Sequence, residues 1–165
     1  RRVLLAGHSL GANAALAAAR RSPVDALALI APGHLPDRLF AAGHTAEALE
    51  IARAAAPGRP IRLPDFNQGQ SRPLRFDPAI WLSYFDPDGA AVMPRSARAL
   101  APPRPVLWAS ARHDPLAGGG RAYAFDLLPA HPQNFWLELD AGHVDAPARA
   151  AAPLADWLQS LDMSP

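Results

Sequence analysis

Four short apolar runs, at residues 3–6, 26–31, 106–110 and 134–139, punctuate the chain and limit the folds open to it. Each is bounded by glycine, proline or polar residues, and none alternates apolar with polar. A strand without that alternation is buried on both faces. Helical stretches lie between or after the runs. Residues 10–20 are rich in alanine and close at Pro23, and residues 147–158 place Leu154, Trp157 and Leu158 on one face at i, i+3 and i+4. Apolar strands alternating with helices predict an α/β fold, a parallel sheet covered on both faces by helices.

Composition removes several classes of function. The chain has 165 residues, enough for one domain with a sizeable core. Sixteen basic residues against 15 acidic ones, with only 19% charged, argue against a nucleic-acid-binding stripe or a polybasic membrane patch. The absence of cysteine excludes disulfide scaffolds, cysteine-based zinc sites and thiol catalysis, and leaves the compartment open. No apolar run approaches the roughly 18 residues of a membrane span. Arg1-Arg2 before Val3-Leu4-Leu5 imitates a signal-peptide start, but the apolar run stops at Gly7-His8-Ser9. The chain begins without Met and almost directly on a strand, so it is read as part of a longer protein. The strand at 3–6 is then expected to be an unpaired apolar edge, a site of self-association.

About 75 residues separate the second and third runs, far more than the roughly 2–6 of an ordinary connection. Residues 32–101 are therefore expected to be an insertion with structure of its own, between core segments 1–31 and 102–165. A helix is expected over 37–56, an irregular stretch over 57–78, and a short helix over 96–100. Ile80, Trp81, Tyr84 and Phe85 fall at helical spacing, as a face docking the helix on the main sheet or, with Trp81 the leading candidate, as the lining of an acyl pocket. Asp86-Pro87-Asp88-Gly89 lacks the further oxygen ligands of a calcium loop and reads as a turn. The glycines at 118–120 have no preceding strand and no following Lys, so they read as a flexible turn rather than a phosphate cradle.

Gly7-His8-Ser9-Leu10-Gly11 has the form G-x-S-x-G, after a strand and at the head of a helix. Chance gives roughly 0.03 such matches in a chain of this composition, so the motif carries weight. A serine in so tight a turn is held in a strained conformation that lifts its hydroxyl above the sheet. Gly7 and Gly11 are expected to be small because side chains there would strike neighbouring backbone. The Leu10 N–H would face a developing oxyanion, with the positive end of the helix behind it.

A serine hydroxyl is a poor nucleophile near neutrality and needs a positioned base. His143 follows the last strand in Asp140-Ala141-Gly142-His143, at the end where a parallel sheet presents its functional groups. His8, inside the elbow, is expected to point away from the substrate side. His34 follows the second strand and is a candidate for pocket lining. His44 lies in the insertion, and His131 precedes its strand. The base in turn needs a carboxylate to fix its tautomer. Asp114, beyond the third strand and stiffened by Pro115, is preferred to Asp37, Asp140 and Asp145, the last two being read as loop caps. Leu116, beside it, is a candidate substrate contact.

The order Ser9, Asp114, His143, with the Gly7-His8-Ser9-Leu10-Gly11, Arg112-His113-Asp114-Pro115 and Ala141-Gly142-His143 segments, resembles the C-terminal half of an α/β-hydrolase. The resemblance implies a parallel-sheet α/β-hydrolase fold truncated at its N-terminus, with residues 32–101 as a cap over the pocket. It also implies a second oxyanion donor in a segment without counterpart here, which leaves Leu10 as the donor and a fragment that can be inactive alone. The expected activity is a serine hydrolase acting on a small-molecule ester, thioester or related acyl substrate, with no metal or organic cofactor. The competing readings are a non-catalytic binding or scaffold module of the same fold, and another triad chemistry such as perhydrolysis or C–C bond cleavage.

Overall fold

The computed structural model describes residues 2–67, 70–117 and 119–161. It divides into two compact units, one of Arg1–His34 with Met93–Pro165 and one of Leu35–Val92. The first unit is built on four parallel strands, β1 (Leu4–His8), β2 (Ala26–Ile30), β5 (Val106–Ala111) and β6 (Phe135–Leu139). They lie in the order β1-β2-β5-β6. In register, Leu4 faces Ala26, Leu27 faces Val106 and Leu107 faces Phe135.

The missing alternation has the expected cause. Along β2 and β5, odd and even side chains enter two different cores. Leu27, Leu29 and Trp108 pack with Leu16 of α1 (Leu10–Ala19), Met93 and Ala97 of α5 (Met93–Arg98), and Phe125. Ala26, Ile30, Leu107 and Ala109 pack with Ala146, Ala150 and Trp157 of α7 (Ala146–Ser160). All five residues of β2 are buried, whereas β1 leaves Leu4 and its neighbour Val3 exposed along the sheet edge. Arg104 ties the carboxyl end of α1 to the sheet by donating from one Nη to the carbonyls of Ala19 and Ser22. The short α6 (Gly120–Ala124) and the 3-10 turn Phe125–Leu127 had no counterpart in the sequence reading. Gly119 and Gly120 take positive φ, of 111° and 61°, at its start; Gly118 lies outside the described residues.

The second unit differs from expectation in two places. The single helix expected over 37–56 is two, α2 (Pro36–Ala41) and α3 (Ala46–Ala54). Gly43, at φ 79°, turns the chain between them in a conformation that helices exclude. The stretch read as irregular contains an antiparallel pair, β3 (Ile61–Asn67) and β4 (Gln70–Phe76). Pro64 and Pro73 face each other across it, and a two-stranded ribbon tolerates both because every strand is an edge. The unit's core gathers Leu49, Ala52, Leu63, Trp81 and Phe85, the last two from α4 (Pro78–Phe85). Asp86 accepts from Asp88 N–H and pairs with Arg53, as a turn residue does. The compact unit is also shorter than the insertion expected, because residues 32–34 and α5 belong to the sheet unit. No helix among the described residues is long and apolar enough to cross a membrane.

Candidate active site

Three of the four parallel strands deliver one polar side chain each beyond their carboxyl ends. Ser9 follows β1 directly, Asp114 follows β5, and His143 follows β6. The ladder continues past the strands and fixes these loops. Ser9 N–H donates to Ile30 O at 3.0 Å, Arg112 N–H to Leu139 O at 2.9 Å and His113 N–H to Ala141 O at 3.0 Å. The loops therefore inherit the positions of the strands.

His143 Nδ1 lies 2.6 Å from Asp114 Oδ2, and its Nε2 lies 2.8 Å from Ser9 Oγ. A carboxylate only accepts, so Nδ1 carries the proton and Nε2 of the neutral ring accepts from the serine hydroxyl. The Asp114 side chain is fully buried, and its other oxygen accepts from Leu116 N–H at 2.8 Å. Both carboxylate oxygens are thus satisfied, which a buried charge requires. The arrangement can move a proton from the hydroxyl to the ring and stabilise the resulting imidazolium.

Ser9 adopts φ 55° and ψ −127° at the N-cap of α1, a left-handed conformation unusual for a residue with a side chain. Gly7 allows that turn: a Cβ on it would fall 2.1 Å from Gly11 O and 2.7 Å from Ala12 N. Gly11 departs from expectation, since a Cβ there meets nothing within 4 Å among the described residues. The crowding is one-sided because Gly7 faces the first turn of the helix while Gly11 faces away from the strand. Leu10 N–H heads α1, where first-turn amides have no intrahelical acceptor.

Two residues here were not recognised as part of the arrangement. His8 turns towards His143, its Nε2 donating to His143 O at 2.9 Å with the two rings 4.8 Å apart. Gly33 backs the His143 ring, and a Cβ on it would lie 3.2 Å from Cε1 and 3.1 Å from Leu116 Cβ. The signal for both was position, immediately beside the nucleophile and just past the end of β2. His34 accepts from Asn13 Nδ2–H through its carbonyl at 2.7 Å. Trp81 belongs to the core of its own unit, fully buried, stacked on Phe85 and donating to Pro64 O at 2.7 Å. Its side chain has no exposed surface to offer a ligand.

The remaining candidates are placed elsewhere. Asp140 accepts from His113 Nε2 at 2.7 Å, and this bond and charge hold its carboxyl below the usual carboxylate range. Asp145 occupies the N-cap position of α7 without a side-chain cap bond. His131 accepts from Gln133 N–H ahead of β6, and His44 lies 6.0 Å from the Phe66 ring in the second unit. Two open clefts of about 530 and 640 Å³ sit at the amino ends of the strands, lined by residues such as Phe125 and Trp136, and Val3 and Pro103. Neither contains Ser9, Asp114 or His143.

No protein-family model matches the sequence, and no curated protein sequence is similar to it. Solved structures do share the fold. The esterase domain of a Rhodothermus marinus protein superposes with a TM-score of 0.59 at 23% identity, over 95% of this chain and 60% of its own. A Paleococcus ferrophilus monoacylglycerol lipase gives 0.62 at 16% identity, over 96% and 69%. The thioesterase domain from the curacin biosynthetic pathway gives 0.52 at 16% identity, over 95% and 66%. The fold is that of the α/β-hydrolases, and the chain spans roughly two thirds or less of the length of these structures.

Proposed function

We propose that the chain carries the acyl-transfer machinery of a serine hydrolase for a carboxylic ester, thioester or related substrate. The observation that carries this reading is the Asp114–His143–Ser9 hydrogen-bond chain, with links of 2.6 and 2.8 Å. The names of the structural neighbours, an esterase, a lipase and a thioesterase, support the same class of chemistry.

Ser9 Oγ attacks the acyl carbon while His143 Nε2 takes its proton, and Asp114 holds the imidazolium that forms. Leu10 N–H receives the oxyanion at the positive end of α1. Collapse of the tetrahedral intermediate expels the alcohol or thiol, which takes the proton from His143. Water then adds to the acyl-serine with His143 again as base, and the acid departs. Leu116, beside Gly33 and His143, contacts the acyl group. The unit 35–92 is read as a substrate-selecting cap from its place in the chain, after the strand that follows the elbow.

The test uses the full-length protein with a fluorophosphonate probe and p-nitrophenyl esters of rising chain length. Labelling and turnover are expected in the wild type and absent in Ser9→Ala. Asp114→Asn should lower kcat by about 10⁴-fold, since the base loses its tautomer. A folded wild type that takes no label overturns the reading and favours a binding role.

A further inference from the structure

We infer that His8 is a positioning residue for the base, gripping His143 by its main chain while Ser9 engages the ring. The inference rests on the hydrolase reading of Ser9 and His143. His143 stands in the loop between β6 and α7, outside any strand or helix. Two side chains hold its ring, Asp114 at Nδ1 and Ser9 at Nε2. Ser9 cannot serve as a permanent anchor, because it leaves the ring when it becomes an acyl ester. A base that must work again on water then needs its place kept by something other than the nucleophile.

His8 meets that need. Its Nε2 is 2.9 Å from His143 O, and a carbonyl only accepts, so this nitrogen carries the proton. His8 is itself the last residue of β1 and sits in register with Ile30 of β2, so the grip is anchored in the sheet rather than in a loop. The two imidazoles lie 4.8 Å apart and inclined by 38°, and the half-buried His8 ring limits how far the His143 ring can swing. Gly33 also closes on the same ring, where a Cβ on it would lie 3.2 Å from Cε1. β1 and the segment following β2 thus both approach the base, through His8 and Gly33, and neither residue takes part in the proton transfer.

Three variants separate the grip from mere packing. His8→Ala removes both donor and ring, His8→Gln restores an N–H at comparable reach, and His8→Phe restores the ring alone. In the full-length protein, His8→Ala should lower kcat roughly 10- to 100-fold with KM within about twofold, a loss set by misplacement of a reacting group. His8→Gln should recover most of that loss and His8→Phe little. Wild-type kcat in His8→Ala, or recovery by His8→Phe and not by His8→Gln, overturns the inference. A readout independent of turnover is the downfield proton resonance of His143 Nδ1–H. It should shift or broaden in His8→Ala and return in His8→Gln, and an unchanged resonance in His8→Ala also overturns the inference. Failure of the hydrolase reading appears differently, as a wild type that shows the resonance yet takes no fluorophosphonate.

Discussion

Ser9 combines the hydroxyl of the site with the backbone conformation that costs the most to hold. Its φ of 55° is one that side chains adopt at a cost of about 1–3 kcal/mol, and glycine adopts freely. Ser9→Gly should therefore be more stable than Ser9→Ala by about 1 kcal/mol, after the extra chain entropy of glycine, in urea unfolding of the two variants. Equal stabilities would mean that the turn is not strained. The glycines around it divide just as sharply. Gly7→Ala places a carbon 2.1 Å from a main-chain oxygen, so the elbow must open, with a loss of at least about 2 kcal/mol and of probe labelling. Gly11→Ala meets open space within a helix and should be neutral or gain up to about 1 kcal/mol. Unfolding curves of the pair check both at once.

At the scale of elements, the loops after β5 and β6 are joined by main-chain bonds and by the exposed His113–Asp140 pair. Hydrogen bonding and charge from His113 lower the Asp140 pKa below 3.8. The folded protein therefore binds this proton less readily than the unfolded chain. The pair's contribution is present above the unfolded value and is lost as pH falls through the lowered folded value. Asp140→Asn should lower neutral stability slightly and flatten the acid limb of a stability-against-pH curve below about pH 4 by the same small amount, the pair being mostly exposed. An acid limb identical to the wild type would remove the pair from that account. β2 and β5 were legible in the sequence because burial on both faces leaves an apolar run, and the partly exposed β1 and β6 because short apolar runs there are bounded by glycine or polar residues. The β3–β4 ribbon was not, since Pro64, Pro73 and three arginines mask any strand pattern where only one face packs. The turn at Gly43 was hidden in the same way by apolar residues that suit a helix on either side of it. The candidate site followed the strands: that Ser9, Asp114 and His143 would meet was readable from where strands end. The turn of the His8 ring towards His143 depends on a three-dimensional neighbour that no local pattern encodes.

At the scale of the whole molecule, β1 is an outer strand of the four, and Val3 and Leu4 are 47% and 36% exposed. An apolar strand edge pairs with whatever strand it meets. The chain as given should self-associate with rising concentration in sedimentation velocity, and Leu4→Lys should shift it towards the monomer. A wild type that stays monomeric at all concentrations would show that the edge is innocuous. The Ser9–His143 bond joins residues 134 positions apart, and the Asp114–His143 bond joins residues 29 apart. A ribosome makes the serine near the beginning of this stretch and the histidine near its end. Throughout that interval the emerging polypeptide holds an unactivated hydroxyl, so whatever reactivity the finished site has is withheld until the sheet's last strand has been added.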